Sequence, residues 1–140
     1  MIRIFNNNDI NRVMTIWLKS NTDSHSFISP DYWKEKYAEV MLMIPQAEVY
    51  IYESDGVIEG FIGLDNNYIA GIFVDKPYRS NGVGTSLLNF AKNCRNKLIL
   101  TVYEKNQSAV KFYEKSGFIL ESTGKDRDTL QTEYTMKWKR

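Results

Sequence analysis

Residues 78–88 read YRSNGVGTSLL. Arg79 precedes Gly82 and Gly84, and an apolar repeat follows. A glycine-broken turn feeding a helix can do chemistry, because the first N–H groups of a helix are unpaired and carry partial positive charge. Phosphate is the natural occupant. Two nucleotide patterns fit poorly. A Walker loop ends Gly-Lys-Ser/Thr, whereas here Thr85 follows Gly84 directly. A dinucleotide fingerprint needs a third glycine, which this turn lacks. The only histidine, His25, has the ordinary pKa for proton transfer near neutrality, and a solvated loop residue is an equal reading of it. The only cysteine, Cys94, falls on the apolar stripe of the helix after Gly82 and reads as a small buried residue. A single cysteine excludes an intrachain disulfide.

The elements that must position these groups follow from periodicity. MIRIF is a short strand, and Asp9 is placed to cap a helix carrying Ile10, Val13, Trp17 and Leu18 on one face. Residues 20–29, SNTDSHSFIS, are polar and predict a loop. Ser29-Pro30 starts a second helix that Pro45 closes. EVYIYES and VIEGFIGL are strands joined by Asp55-Gly56, a hairpin signal. YIAGIFV, residues 68–74, is a central strand by its lack of polar residues, and LILTVY reads likewise. Between them lies the helix from Gly82 to about Asn93, with Val83, Leu87, Ala91 and Cys94 on one stripe. A short helix spans residues 107–116, ended by Gly117, and FILES and LQTEYTMKW close the chain as strands. The predicted order is β-α-α-β-β-β-α-β-α-β-β, a single α/β domain over residues 1–140.

Composition narrows the function classes. The 140 residues are 43% apolar and 14% aromatic, enough for a packed core. A net charge of +1 gives no electrostatic footprint for nucleic acid. Lys137, Lys139 and Arg140 form a small basic end that reads as a solvated terminus. MIRIFNNND carries no signal-peptide pattern, and no apolar run is long enough for a membrane span. A cytoplasmic protein without membrane or nucleic-acid partners is the expectation.

The second half of the chain addresses whose phosphate the turn would hold. Residues 102–118, VYEKNQSAVKFYEKSGF, place an asparagine at the exit of a buried strand, then a short helix, then Phe112-Tyr113 and Gly117-Phe118. Together with Arg79-x-x-Gly82-x-Gly84, this resembles the GNAT family, the GCN5-related N-acetyltransferases. The resemblance covers nearly the whole chain. His25-Ser26-Phe27-Ile28 and Tyr32-Trp33 are similar to stretches in small bacterial members. It implies a mixed, mostly antiparallel sheet of about six to seven strands flanked by about four helices.

The resemblance also implies roles. Acetyl-CoA is the co-substrate and no metal is used. Backbone of Ile72, Phe73 and Val74 pairs with the pantetheine arm, and an N–H near Phe73 or Val74 serves as oxyanion donor. Arg79, Ser80, Asn81, Gly82, Val83, Gly84 and Thr85 cradle the pyrophosphate. Asn106 bonds the pantetheine arm, while also suiting a helix N-cap, and Phe112 borders the cofactor. Tyr113 is the general acid for the departing thiolate, with core packing as its plainer reading. Some relatives carry a glutamate base where Thr101 stands, and Thr101 cannot act as one. Glu104 reads as lying at the exposed end of its strand. His25 is then a candidate base beside a water-mediated route. His25, Phe27, Tyr32 and Trp33, with the hairpin 123–132, border the acceptor, and Asp23 and Asp31 could attract a cation. The acceptor is a protein lysine or a small-molecule amine, and the protein a monomer or homodimer. A non-catalytic CoA-binding module and a nucleotide-binding protein are the competing classes.

Overall fold

Eleven elements follow one another along residues 1–140 of the computed structural model: β1 (Ile2–Ile4), α1 (Ile10–Ser24), α2 (Pro30–Met43), β2 (Glu48–Ser54), β3 (Val57–Asp65), β4 (Tyr68–Val74), α3 (Val83–Cys94), β5 (Lys97–Tyr103), α4 (Gln107–Lys115), β6 (Ile119–Lys125) and β7 (Thr132–Lys139). This is the order expected from periodicity. The seven strands form one sheet in the order β1-β2-β3-β4-β5-β7-β6. Every neighbouring pair is antiparallel except β4 and β5.

Local chemistry sets several boundaries. Asp55 and Gly56 both take positive φ, 50° and 78°, the twist a two-residue hairpin needs. The Ser29 hydroxyl accepts from the Asp31 N–H at 3.3 Å, and Pro30 begins α2. Two expectations are corrected. Asp9 makes no side-chain cap on α1. Its carboxylate, almost fully buried, instead accepts a forked pair of bonds from Arg3 at 2.8 and 2.9 Å and one from the Asn6 N–H at 2.9 Å. A guanidinium satisfies a buried carboxylate better than one backbone donor does. The polar run 20–24 is also not loop, because α1 continues through Ser24. The Thr22 hydroxyl and the Asn21 amide donate to the Leu18 and Trp17 carbonyls, each at 2.9 Å, so the helix satisfies its own polar side chains.

Alternation along the strands sends apolar residues to both faces of the sheet. Ile62, Leu64, Leu98 and Leu100 pack with Leu87, Leu88 and Ala91 of α3 and with Val110 of α4. Val49, Ile51 and Phe61 pack with Val13, Met14 and Ile16 of α1 and with Trp33 of α2. Each fully buried aliphatic side chain contributes roughly 1.5–3 kcal/mol. Cys94, expected on the buried stripe, is exposed: it is the last residue of α3, and the stripe ends with Ala91.

One irregularity creates space. β4 and β5 pair only at Tyr68 and Ile99. Their outer edges stay fully bonded, β4 to β3 and β5 to β7 from Lys97 to Tyr103. The two strands therefore diverge beyond that pair, and a cleft opens between them.

Candidate functional site

Two cavities flank this divergence. The larger, about 580 Å³, is walled by Ile72, Phe73 and Val74 of β4, the turn before α3, the last turns of α1 and the first half of α4. The smaller, about 280 Å³, lies toward β5, β7 and the Trp17–Trp33 pair. Asn21, His25, Ile72, Phe73, Asn106, Ala109 and Tyr113 line both, so they form the partition between them.

The turn before α3 is built to leave donors free. Ser80 and Gly82 both adopt left-handed backbone, φ 68° and 84°, and the Asn81 N–H between them closes the turn onto the Tyr78 carbonyl at 3.3 Å. No side chain caps α3, and its first backbone bond runs from the Ser86 N–H to the Gly82 carbonyl at 2.9 Å. The first-turn N–H groups thus remain available, with the helix dipole behind them. A Cβ at Gly82 would meet nothing within 4 Å, and one at Gly84 would meet only Phe112 and Val74 at 3.5–3.8 Å. The protein itself leaves this volume open, and an anionic group fits it. Arg79 ties the turn to the strand, its Nε donating to the Val74 carbonyl at 3.0 Å, and its guanidinium lies 4.0 Å from Asp23.

Arg79, Ser80, Gly82, Gly84, Thr85, Asn106 and Phe112 all line the larger cavity, as do Ile72, Phe73 and Val74. Asn81 and Val83 do not. The Val83 side chain is core, packed under Gly60, which leaves only its backbone toward the turn, and Asn81 is exposed. Ser20, Asn21 and Ser24 line the cavity as well and were hidden by reading 20–29 as loop.

Asn106 serves two purposes. Its Oδ1 accepts from the Ala109 N–H at 3.4 Å, the N-cap of α4, and its Nδ2 faces His25 Nε2 at 3.3 Å. With Asn106 donating, His25 carries its proton on Nδ1, which is buried without a partner. The ring stacks on Trp33 at 5.1 Å, and burial drives its pKa down to about 4. His25 is neither a solvated loop residue nor a strong base at neutral pH. Tyr113 is buried and raised above its ordinary value by that burial and by Tyr68. No protein group partners its hydroxyl. Phe112 and Phe118 flank its ring at 5.2 and 5.6 Å.

The residues expected around an acceptor divide at the smaller cavity. His25 and Trp33 are in its wall, but Phe27 and Tyr32 are not. Phe27 packs behind His25 and Tyr103, each at 5.7 Å, and the Tyr32 hydroxyl bonds Asp128 at 3.2 Å. Asp23 pairs toward Arg79, beside the other cavity. Glu104 is occupied by the Tyr134 hydroxyl at 2.8 Å, and Thr101 bonds the Tyr68 hydroxyl. The carboxylate in the wall is Glu133 of β7, which sequence reasoning missed.

Comparison with known proteins fixes the family. A family model described as an acetyltransferase (GNAT) domain matches residues 17–138. The chain belongs to the GNAT family. It is 30% identical to the peptidyl-lysine N-acetyltransferase YiaC of Escherichia coli, over 99% of this chain and 96% of that one. The peptidyl-lysine N-acetyltransferase YjaB of Escherichia coli is 32% identical over 76% of this chain and 73% of its own. The solution structure of YjaB superposes with a TM-score of 0.88 at 26% identity, covering 99% and 96% of the two chains. The PaiA N-acetyltransferase of Thermoplasma acidophilum, solved with coenzyme A, shares the fold at a TM-score of 0.80 and 21% identity, covering 100% and 98%.

Proposed function

We propose that this GNAT enzyme transfers the acetyl group of acetyl-CoA to a primary amine, the ε-amine of a protein lysine. The observation that carries the reading is the partition. An unpartnered Tyr113 hydroxyl stands between an anion-holding cavity and a second cavity with room for an amine-bearing side chain. The names of YiaC and YjaB support lysine as the acceptor.

Acetyl-CoA supplies the activated acyl group, and the remaining work falls to the chain. The turn Arg79–Thr85, through its backbone N–H groups, suits the pyrophosphate. The edge of Ile72–Val74 that β5 leaves unpaired can accept an amide-rich arm as a surrogate strand. Asn106 borders the same path. Tyr113, kept protonated, can donate its proton to a leaving thiolate. An N–H at Phe73 or Val74 is the oxyanion donor in this reading. Neutral His25, held by Asn106 and Trp33, shapes the partition rather than taking the proton.

The test is competition among acceptors under saturating acetyl-CoA. Lysine peptides should exceed free amino acids and polyamines in kcat/KM by about tenfold or more. A small amine that outcompetes every peptide overturns the lysine assignment.

A further inference from the structure

An amine acceptor must lose a proton before it can attack, and the residues expected to take it are unsuited. A lysine ammonium with an ordinary pKa near 10.4 is neutral at pH 7 in only about 1 molecule in 2,500. Glu133 is the one carboxylate in the wall of the smaller cavity, which it shares with Tyr113, Trp33 and His25. It lies on β7 directly opposite Tyr103 of β5. Asp128, bonded by Tyr32, is already paired with Lys36 at 3.3 Å. Asp126, bonded by the Tyr103 hydroxyl, stands close enough to act on Glu133, and the wall itself is aromatic, with Trp17, Trp33, Tyr68 and Tyr103. That is the lining a cation selects. Trp33 Nε1 and His25 Nδ1 are themselves buried beneath this wall. The reactive group that shares the wall with Glu133 is Tyr113, which lines both cavities and whose hydroxyl has no protein partner.

We propose that Glu133 accepts the proton of the incoming lysine ammonium, and that this acidic cavity selects a charged acceptor. The proposal rests on the acetyl-lysine reading above. The N–H bond of the ammonium breaks and an O–H bond forms on the Glu133 carboxylate. The freed nitrogen bonds the acetyl carbon, the carbon–sulfur bond breaks, and the sulfur takes the Tyr113 proton. The second nitrogen proton restores Tyr113, and Glu133 returns its own to water. Burial makes the transfer feasible: an ammonium and a carboxylate removed together from water lean toward their neutral forms. Burial, then the charge of Asp126, already hold Glu133 above the usual carboxylate range. The other titratable groups facing it are His25 from α1, Tyr32 from α2, Tyr68 from β4, Tyr103 from β5 and Tyr113 from α4. None of these is positively charged at neutral pH, and Lys36 of α2, over the Tyr32 ring, is paired with Asp128 at 3.3 Å.

The experiment is the pH profile of kcat/KM for a lysine peptide in wild type, Glu133→Gln and Glu133→Asp. Wild type, binding the ammonium, should be flat between about pH 7 and 9. Glu133→Gln must capture the rare neutral amine, so it should lose about 100-fold at pH 7 and regain about tenfold per pH unit. Glu133→Asp should keep the flat profile at reduced rate. Calorimetry adds a readout besides turnover: lysine peptide should bind the CoA-saturated Gln variant about tenfold more weakly at pH 7. Melting temperature and acetyl-CoA affinity near wild type show that the variant is folded. A wild-type protein that acetylates no lysine peptide overturns the functional reading. Lysine acetylation with a Glu133→Gln profile parallel to wild type overturns the Glu133 assignment alone.

Discussion

Replacing Tyr113 by phenylalanine removes one oxygen and little else. The hydroxyl has no protein partner, so its loss breaks no hydrogen bond. The ring keeps its edge contacts with Phe112 and Phe118, and the Phe118 N–H still donates to the residue-113 carbonyl at 3.0 Å. Stability should therefore change by no more than about 0.5 kcal/mol. The rate loss can then be assigned to chemistry. General acids contribute roughly 10²–10⁴-fold. A thiol of ordinary pKa near 8.5 leaves fairly well without a proton, which puts the loss at the lower end, about 100-fold or 2.7 kcal/mol. The assay is release of free thiol from acetyl-CoA with saturating lysine peptide. We expect kcat to fall about 100-fold while acetyl-CoA affinity stays within about twofold. Because burial raises the Tyr113 pKa above its ordinary value, the proton is lost only as pH rises past that higher value, so wild-type kcat should not decline below about pH 10. A phenylalanine variant within about threefold of wild-type kcat would refute the general-acid role.

Three further outcomes follow from other parts of the molecule. Gly84→Val keeps ordinary contact with Phe112 at its Cβ but fills the cradle, so acetyl-CoA should bind about tenfold or more weakly by calorimetry with the melting point nearly unchanged. His25 has its folded pKa depressed by burial to about 4, so the unfolded chain binds the extra proton between about pH 6.5 and 4. Stability contributed by the neutral ring is thus present above pH 6.5 and lost as pH falls through that window, and His25→Gln should show a shallower fall in melting temperature there. Asp9→Ala, which removes the forked pair from Arg3, leaving it to Glu53, and frees the Asn6 N–H, should cost about 2 kcal/mol in denaturant melts with kcat unaltered, since Asp9 lies outside both cavities.

Much of this arrangement was legible in the residues, and the gaps have physical causes. The element order, the Asp55-Gly56 hairpin and the glycine turn all rest on short-range chemistry: backbone twist, caps and periodicity. The polar run 20–24 reads as loop because such side chains compete with the backbone, yet Asn21 and Thr22 bond back along α1, and Ser20, Asn21 and Ser24 wall a cavity. Val83 seemed part of the cradle by adjacency, but the helix turns its side chain into the core. Glu133 was invisible because it sits 27 positions after Asn106 in sequence and reaches the same cavity only through the β5–β7 pairing. No local pattern marks a residue that a sheet delivers from the far end of the chain. The lowered basicity of His25 has no local signal either: stacking on Trp33 and the Asn106 contact take it out of water, and that is a property of packing.

The most direct test of the central claim is the mass of a lysine peptide after incubation with the protein and acetyl-CoA, read alongside thiol release. The account predicts one acetyl group on the lysine ε-amine for each thiol released, and no release without the peptide. Tight acetyl-CoA binding with neither product nor thiol, across lysine peptides and small amines, would contradict it and leave a CoA-binding protein without catalysis.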